Sequence, residues 1–459
     1  MLKRRQDNER LWRKRPSING TGRGLPGSRP RHVLVICYDF PGMGTHGVIR
    51  TYQLAKNLPS FDWRPVILTA HSCSGGQEDN IETSDGHLNC PKFTVAPSRV
   101  VVPVRTDIRA VRQPFDGMVP QKTGVLKRMV RFASKLAVPD GKIGWLPAAV
   151  KRALQIAREY PIKMCFSVSL RPTSHLVARR VARSLSIPWV ADLAFPWSDA
   201  YWLAGRPRFI EWFDQQLEAS ALRAAQHITV AYADISRRMS ARYGTAWQKK
   251  ISVIPTGFNE DLFARESVPT PSKFRVIYPG NHFCEKGRNG DCFLKAIDAW
   301  IELDPRLGGK VEFVFTGKRD DELLGQRAAM MHPEVIRIEP FMSHRACIQT
   351  VLSSHMCVVN TVGNRIPDKV YECMRARKWI LALTDAGSDL ENLMRHYFRG
   401  ISVQARDLSA IRNALQKVWQ AVDLKRSERI EAESSLDMYS AKHSTAMLSR
   451  IFDSLSPRD

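Results

Sequence analysis

The sequence predicts an α/β protein built from two doubly wound parallel sheets placed one after the other along the chain. Three observations carry this expectation. The chain has 459 residues, beyond the roughly 250–300 at which a single core stops growing. Short continuous apolar runs alternate with helical patterns, as buried parallel strands and their crossover helices do. One polar, proline-containing stretch, ESVPTPSK (266–273), divides those runs into two series.

Residues 1–31 hold ten basic and two acidic residues among Gly, Pro and Ser and show no apolar periodicity, so they read as a flexible basic tail. Order is expected from His32. HVLVICY is a strand, FPGMGTHGVIR a glycine-rich turn, TYQLAKNL a helix and RPVILTA the next strand. MCFSVS, WVADLAF, HITVAY and KISVIP continue the series, separated by helical stretches such as TSHLVARRVARSL and EWFDQQLEASALRAAQ. From Phe274 a second series follows: FRVIYPG, VEFVFTG, EVIRIEP, MCVVNT, KWILALT and GISVQA. Two such Rossmann-like domains face each other across a cleft at their strand C-terminal edges, where ligand is expected. Residues 99–160 hold thirteen basic and four acidic residues, and between Pro97 and Pro147 the pattern is weak, so a mobile basic excursion facing an acceptor or a membrane is expected there.

Hydrophobic residues make up 44% and charged residues 25%, which excludes disordered, fibrous and coiled-coil classes. No apolar run reaches the roughly 18–20 residues that span a bilayer, and the N-terminus lacks the apolar stretch of a signal peptide. Nine scattered cysteines without a Cys-x-x-Cys pair suit reduced thiols in a cytoplasmic protein and no zinc site. The net charge of +24 favours anionic partners: phosphorylated substrates, acidic lipid or nucleic acid.

Gly42, Gly44 and Gly47 follow the first strand and precede a helix, so backbone N–H groups can approach an anion there. A glycine-rich turn without ligand fits equally. The end of the second strand offers Thr69 and His71 rather than an acid, against a nicotinamide cofactor. In the second series Gly280 ends a strand, and Lys286 and Arg288 precede a helix, a geometry for a diphosphate or simply a solvated loop. Lys369 and Glu372 share a helix face: a cation for phosphate and a carboxylate for ribose hydroxyls, or a surface ion pair. His175 either contacts a transferred sugar or packs; Asp192 either binds acceptor, orients His175 or caps the next helix.

These stretches together resemble a glycosyltransferase of the GT-B architecture, similar to glycosyltransferase family 4 and its bacterial surface polysaccharide branch. The markers are DFPGMGTHGVIRTYQLAKNLPSFDWRPVILT, SHLVARRVARSLSIPWVAD, KISVIPTGFNEDLF and the Gly280 and Lys369 stretches, in order and at family-like spacing. The resemblance implies transfer from a nucleotide-diphosphate sugar to a glycan or lipid-linked acceptor, with retention, without a cofactor or essential metal. It implies an acceptor-side domain over 32–265, a linker over 266–273, a donor-nucleotide domain over 274–434, and a helix over 435–459 that packs back on the first domain. It places the diphosphate-binding lysine at Lys286, with Arg288 close by, and the ribose-binding glutamate at Glu372; with the residue readings above, the expected donor contacts are Gly44, Gly47, Gly280, Lys286, Arg288, Lys369 and Glu372, and the expected catalytic residues His175, Asp192 and Asn364. Asn364 stands where the family has a glutamate, and Asp192-Leu-Ala-Phe-Pro-Trp197 lacks an Arg and an Asp of the branch's motif. A GT-B protein that binds without transferring is therefore the alternative. The tail, with Leu11 and Trp12, suits an anionic membrane surface, peripheral on its inner face, or plain solvation. Nucleic-acid binding is a third reading; no recognisable module accompanies the charge, so no specific nucleic acid is expected.

Overall fold

The computed structural model describes residues 31–40, 48–70, 90–96, 138–200, 203, 206–263, 268, 271–284, 288–423 and 436–456. The tail, Gly44, Gly47, Lys286, most of the 99–160 stretch and most of the 266–273 linker lie outside them.

The first sheet has seven strands: β1 (Arg31–Ile36), β2 (Trp63–Ala70), β3 (Lys92–Val95), β4 (Ile162–Ser169), β5 (Trp189–Leu193), β6 (His227–Val230) and β7 (Ile251–Val253). The second has six: β8 (Phe274–Pro279), β9 (Val311–Thr316), β10 (Ile336–Ile338), β11 (Met356–Asn360), β12 (Trp379–Leu383) and β13 (Gly400–Val403). Every pairing is parallel, in the orders β3-β2-β1-β4-β5-β6-β7 and β10-β9-β8-β11-β12-β13. Each sheet thus reverses direction once, between β1 and β4 and between β8 and β11, and such a switch point opens a crevice at the strand C-termini.

The intervening helices are α1 (Val48–Asn57), α2 (Leu146–Glu159), α3 (Thr173–Leu185), α4 (Arg208–Arg223), α5 (Ala233–Tyr243), α6 (Gly290–Leu303), α7 (Asp321–Ala328), α8 (His344–Leu352), α9 (Asp368–Arg375), α10 (Asp389–His396), α11 (Leu408–Asp423) and α12 (Ala441–Leu455). Local chemistry sets several boundaries. Ser343, Ser388 and Ser440 accept from backbone N–H groups of the first turns of α8, α10 and α12, satisfying donors that the helix leaves open. Alternate residues of β1 enter opposite layers: Leu34 and Ile36 pack with Trp145, Val177 and Trp189, whereas Val33 and Val35 pack with Trp63, Leu448 and Phe452.

The C-terminal helix α12 therefore belongs to the core under the first sheet. Phe452 meets Trp63 edge-on at 5.2 Å, Trp63 donates to Asp453 at 3.1 Å, and Arg31 both pairs with Asp453 and lies 4.1 Å from the Trp63 ring centre. The chain enters α12 through a two-way backbone clasp, Phe258 N–H to Tyr439 O and Ala441 N–H to Phe258 O, at 2.9 and 2.8 Å. Gly257, at φ +74°, permits it: a Cβ there would sit 2.6 Å from Tyr439 O, and the positive φ itself favours glycine.

One buried ion pair ties the helical layer to the strands. Arg50 on α1 donates Nε and Nη2 to the two carboxylate oxygens of Asp192 at 2.8 and 2.7 Å, and Nη1 to Ile254 O at 2.8 Å. Thr229 adds a hydroxyl donor to Asp192 at 2.5 Å. Both charges are essentially inaccessible to water, so each depends on the other. We predict that Asp192→Asn destabilises the fold by about 3–5 kcal/mol, because it strands a buried guanidinium, while Arg50→Met with Asp192→Leu costs less than either single change. Equilibrium urea unfolding checks this; near-neutral single variants would contradict a buried pair.

Candidate functional site

At the switch point of the second sheet, Gly280 directly follows β8, and β11 ends in Asn360. A Cβ on Gly280 would approach the Tyr278 ring to 2.9 Å, so glycine lets the chain fold over that ring. Arg288 turns back onto the same loop, donating to Tyr278 Oη at 2.9 Å and Asn281 O at 3.2 Å. Asn281 accepts from the Lys318 N–H at 2.8 Å and ties this loop to the one after β9.

The strongest charge arrangement lies on α9. Pro367 ends the preceding loop, and Val370, Tyr371, Cys373 and Met374 bury the helix against the sheet. Glu372 is buried with them, its side chain only 2% exposed. Its Oε2 accepts from Lys369 Nζ at 2.8 Å, and its Oε1 lies 2.6 Å from His344 Nε2 at the start of α8. Burial by itself pushes this carboxyl up, but His344 and Lys369 together hold it down to about 2. Lys369 is in turn held above the ordinary lysine range against the opposing pull of burial, with Cys347 and Glu372 raising it. The arrangement is a fixed carboxylate with a half-exposed cation beside it.

Lys369 and Glu372 are thus brought together, and not as a surface pair. Asn364, a few residues upstream, reaches across to the other sheet's helices: its amide donates to Asp234 on α5 at 2.9 Å. Asp234 also binds Arg238 at 2.6 Å. Its own N–H and Arg237 both donate to Asp389 on α10 at 2.6 Å. This polar cluster joins the two halves of the chain.

At the first sheet's switch point, Asp39 follows β1 and Arg171 follows β4, with N···O 3.5 Å. Asp39 Oδ2 and Arg171 Nε are buried without a hydrogen-bond partner. Burial pushes Asp39 up, with Arg171 and Lys142 opposing. A small pocket beside them is lined by Asp140, Arg171, Phe195, Pro196 and Trp197 among others.

His175, in the first turn of α3, is fully buried and stacks on Trp197 at 5.8 Å. Trp189 Nε1 donates to Ser167 Oγ at 2.8 Å, and Ser167 lies 2.7 Å from His175 Nδ1. Ser167 Oγ thus sits between two ring nitrogens, while His175 Nε2 has no hydrogen-bond partner among the described residues. Burial lowers His175 to about 3, against the pull of Asp192, so the ring is neutral. Asp192 itself is occupied by Arg50. Charges nevertheless connect the two halves: Asp368 on α9 is pushed up by burial and by Glu372, and pulled down by Thr256, Arg50 and Arg365. Arg50, Asp39, Arg171, Asp234 and His344 were not singled out from sequence. Only Arg50 carried a signal there, as the arginine opening the helix after the glycine-rich turn.

Among the described residues no cluster of three His, Cys, Asp or Glu side chains suits a metal ion, and no helix is long and apolar enough to cross a membrane.

No protein-family model matches the chain, and no curated protein matches it. Solved structures do. A sucrose-phosphate synthase from Thermosynechococcus elongatus is similar at 13% identity over 93% of this chain and 99% of its own, with TM-score 0.64. HepE of Anabaena, in complex with UDP, is similar at 11% identity over 93% and 100%, with TM-score 0.62. An α,α-trehalose 6-phosphate synthase from Burkholderia multivorans is similar at 14% identity over 92% and 96%, with TM-score 0.60. At such identities the likeness speaks to the fold: the chain has the two-sheet α/β architecture of GT-B glycosyltransferases.

Proposed function

We propose that the protein transfers a sugar from a nucleotide-diphosphate sugar to a glycan or lipid-linked acceptor, as a family 4-like glycosyltransferase of cell-surface polysaccharide synthesis acting with retention. The observation that carries this reading is the buried Glu372, ionised and clamped between His344 and Lys369 on the helix that follows β11 in the second sheet. A carboxylate has about four lone-pair sites, so Glu372 can accept from a ribose diol while keeping both partners. Lys369 and Arg288 meet the diphosphate, joined by Lys286, which lies outside the described residues. As the sugar's C1–O bond to phosphate breaks, negative charge grows on the departing diphosphate, and fixed cations are what that step needs most. From the first domain, neutral His175 offers its unpaired Nε2 to a sugar hydroxyl, and Asp39 and Arg171 offer polar atoms to the acceptor. Residues 1–31 supply a basic segment for an anionic membrane surface.

Binding without transfer is favoured by one observation, the Asn364 amide donated to Asp234. A glutamate in that place would set its carboxylate against those of Asp234 and Asp389. Measured transfer and hydrolysis over a panel of nucleotide sugars separates the two readings.

Calorimetric titration of nucleoside diphosphates tests the site. Lys369→Ala should weaken binding by about 1.5–3 kcal/mol, the range for hydrogen bonds to charged groups, and so should Lys286→Ala. Glu372→Gln should weaken nucleotide binding yet leave inorganic diphosphate binding unchanged, since the carboxylate serves hydroxyls. Wild-type affinity in both lysine variants would place the site elsewhere.

The same glutamate has a pH signature. Its carboxyl moves from an ordinary value of 4.5 to about 2 on folding, so its stabilising contribution is complete above pH 4.5 and disappears as pH falls through about 2. Glu372→Gln should therefore cost a few kcal/mol of stability at neutral pH, on the order of 1.4 kcal/mol per pKa unit, and wild type and variant should converge as the solution is acidified across that window. Urea midpoints measured against pH check it; a constant difference down to pH 2 would refute the ionised, clamped carboxylate.

A further inference from the structure

Helix α4 buries one side and leaves the other without a partner among the described residues. Ala219, Ala221 and Leu222 face the core. Its carboxylates are not on the outer face: Asp214 is buried with Arg206 and Trp197 at 3.0 Å each, Glu218 is buried against Ser198 and Tyr243, and Glu211 is half-buried. Phe209, Trp212 and Phe213 are 67, 61 and 54% exposed. Spaced i, i+3 and i+4, they form one patch. The other large exposed apolar side chains, such as Leu303, Met331 and Phe341, come from separate segments, and scattered single ones are ordinary.

The patch has a basic rim. Arg208 and Arg223 are exposed at the two ends of α4, and Arg180 and Arg183 are exposed on α3. Arg179 of α3 donates to Ser220 of α4 at 3.3 Å, which lays the arginine-bearing side of α3 along the aromatic helix. We propose that this face of α4 docks on an anionic lipid bilayer, with the three aromatic rings entering the headgroup region and the arginines meeting lipid phosphates. Aromatic anchors with basic neighbours are what an interfacial helix needs, and local acids do not oppose it. A second copy of the chain fits less well, because a two-fold contact would set the patch on itself and bring the arginine rims together. A nucleic-acid strand would need a groove to follow, whereas these rings project from a single convex helix. The proposal does not rest on the sugar-transfer reading. It also differs from the tail's proposed role, since α4 lies in the folded first domain.

The test is flotation of the full chain with vesicles of phosphatidylcholine and phosphatidylglycerol in roughly equal parts, compared with pure phosphatidylcholine. Combined Phe209→Ser, Trp212→Ser and Phe213→Ser should reduce partitioning on the order of tenfold or more while the thermal transition stays in place. Arg180→Gln with Arg183→Gln should weaken binding only to the anionic vesicles and flatten its salt dependence. Should the triple variant fold poorly, Trp212→Phe decides instead: it should bind as wild type does but lose part of the blue shift in tryptophan emission on vesicle addition. Unchanged flotation of a folded triple variant would overturn the proposal and leave membrane binding to the tail. An emission shift identical in Trp212→Phe would overturn it as well. So would a patch whose removal abolishes only self-association or oligonucleotide binding.

Discussion

The bidentate contact between Arg50 and Asp192 is the constraint on which the architecture around the cleft depends. Asp192 closes β5, Thr229 lies on β6, and Ile254 follows β7, so one guanidinium on α1 fixes three consecutive strand ends of the first sheet. Taking two charges out of water costs several kcal/mol per ion, recovered only by full pairing. This position meets that condition: the carboxylate oxygens take three donors, and the guanidinium adds a carbonyl. The same guanidinium also acts on Asp368 in the second half. The first sheet's pair and the second sheet's Glu372 helix are thereby coupled electrostatically.

The second half repeats the logic with a different purpose. Glu372 is nearly as buried as Asp192, and its partners likewise come from two elements, here α8 and α9, but one of them, Lys369, keeps a side open to solvent. A carboxylate held ionised in a buried position with a partly exposed cation beside it suits recognition of a ligand carrying hydroxyls and phosphate. Between the halves, Asn364, Asp234, Arg237 and Asp389 form a polar seam.

Much of the fold was legible because parallel strands covered on both faces are continuous apolar runs, and both series of runs appear as parallel sheets. The misses follow from exposure or distance. Strand β3 was not read from sequence because, at the sheet edge, it alternates exposed and half-buried residues and so carries no apolar run. Strand β1 begins at Arg31 rather than His32, held by Asp453 at the far end of the chain. In the site, the i, i+3 spacing made the Lys369–Glu372 contact readable, but not His344, which approaches from a different helix with no periodic link. Asp192 read as a cleft or capping residue for the same reason: its partner is 142 positions away. Asn364 read as a weakened donor contact, whereas its amide bridges to Asp234.

In the function proposed above, the strand C-terminal edge of the second sheet around Glu372 receives the nucleotide diphosphate. Hydrogen–deuterium exchange of the full chain with and without UDP measures this most directly, because backbone amides report local protection without substitution. The account predicts slowed exchange over α8 and α9 and in the loop that follows β8, with the first sheet unchanged. Protection confined to the first sheet, or no protection at saturating UDP, would contradict it.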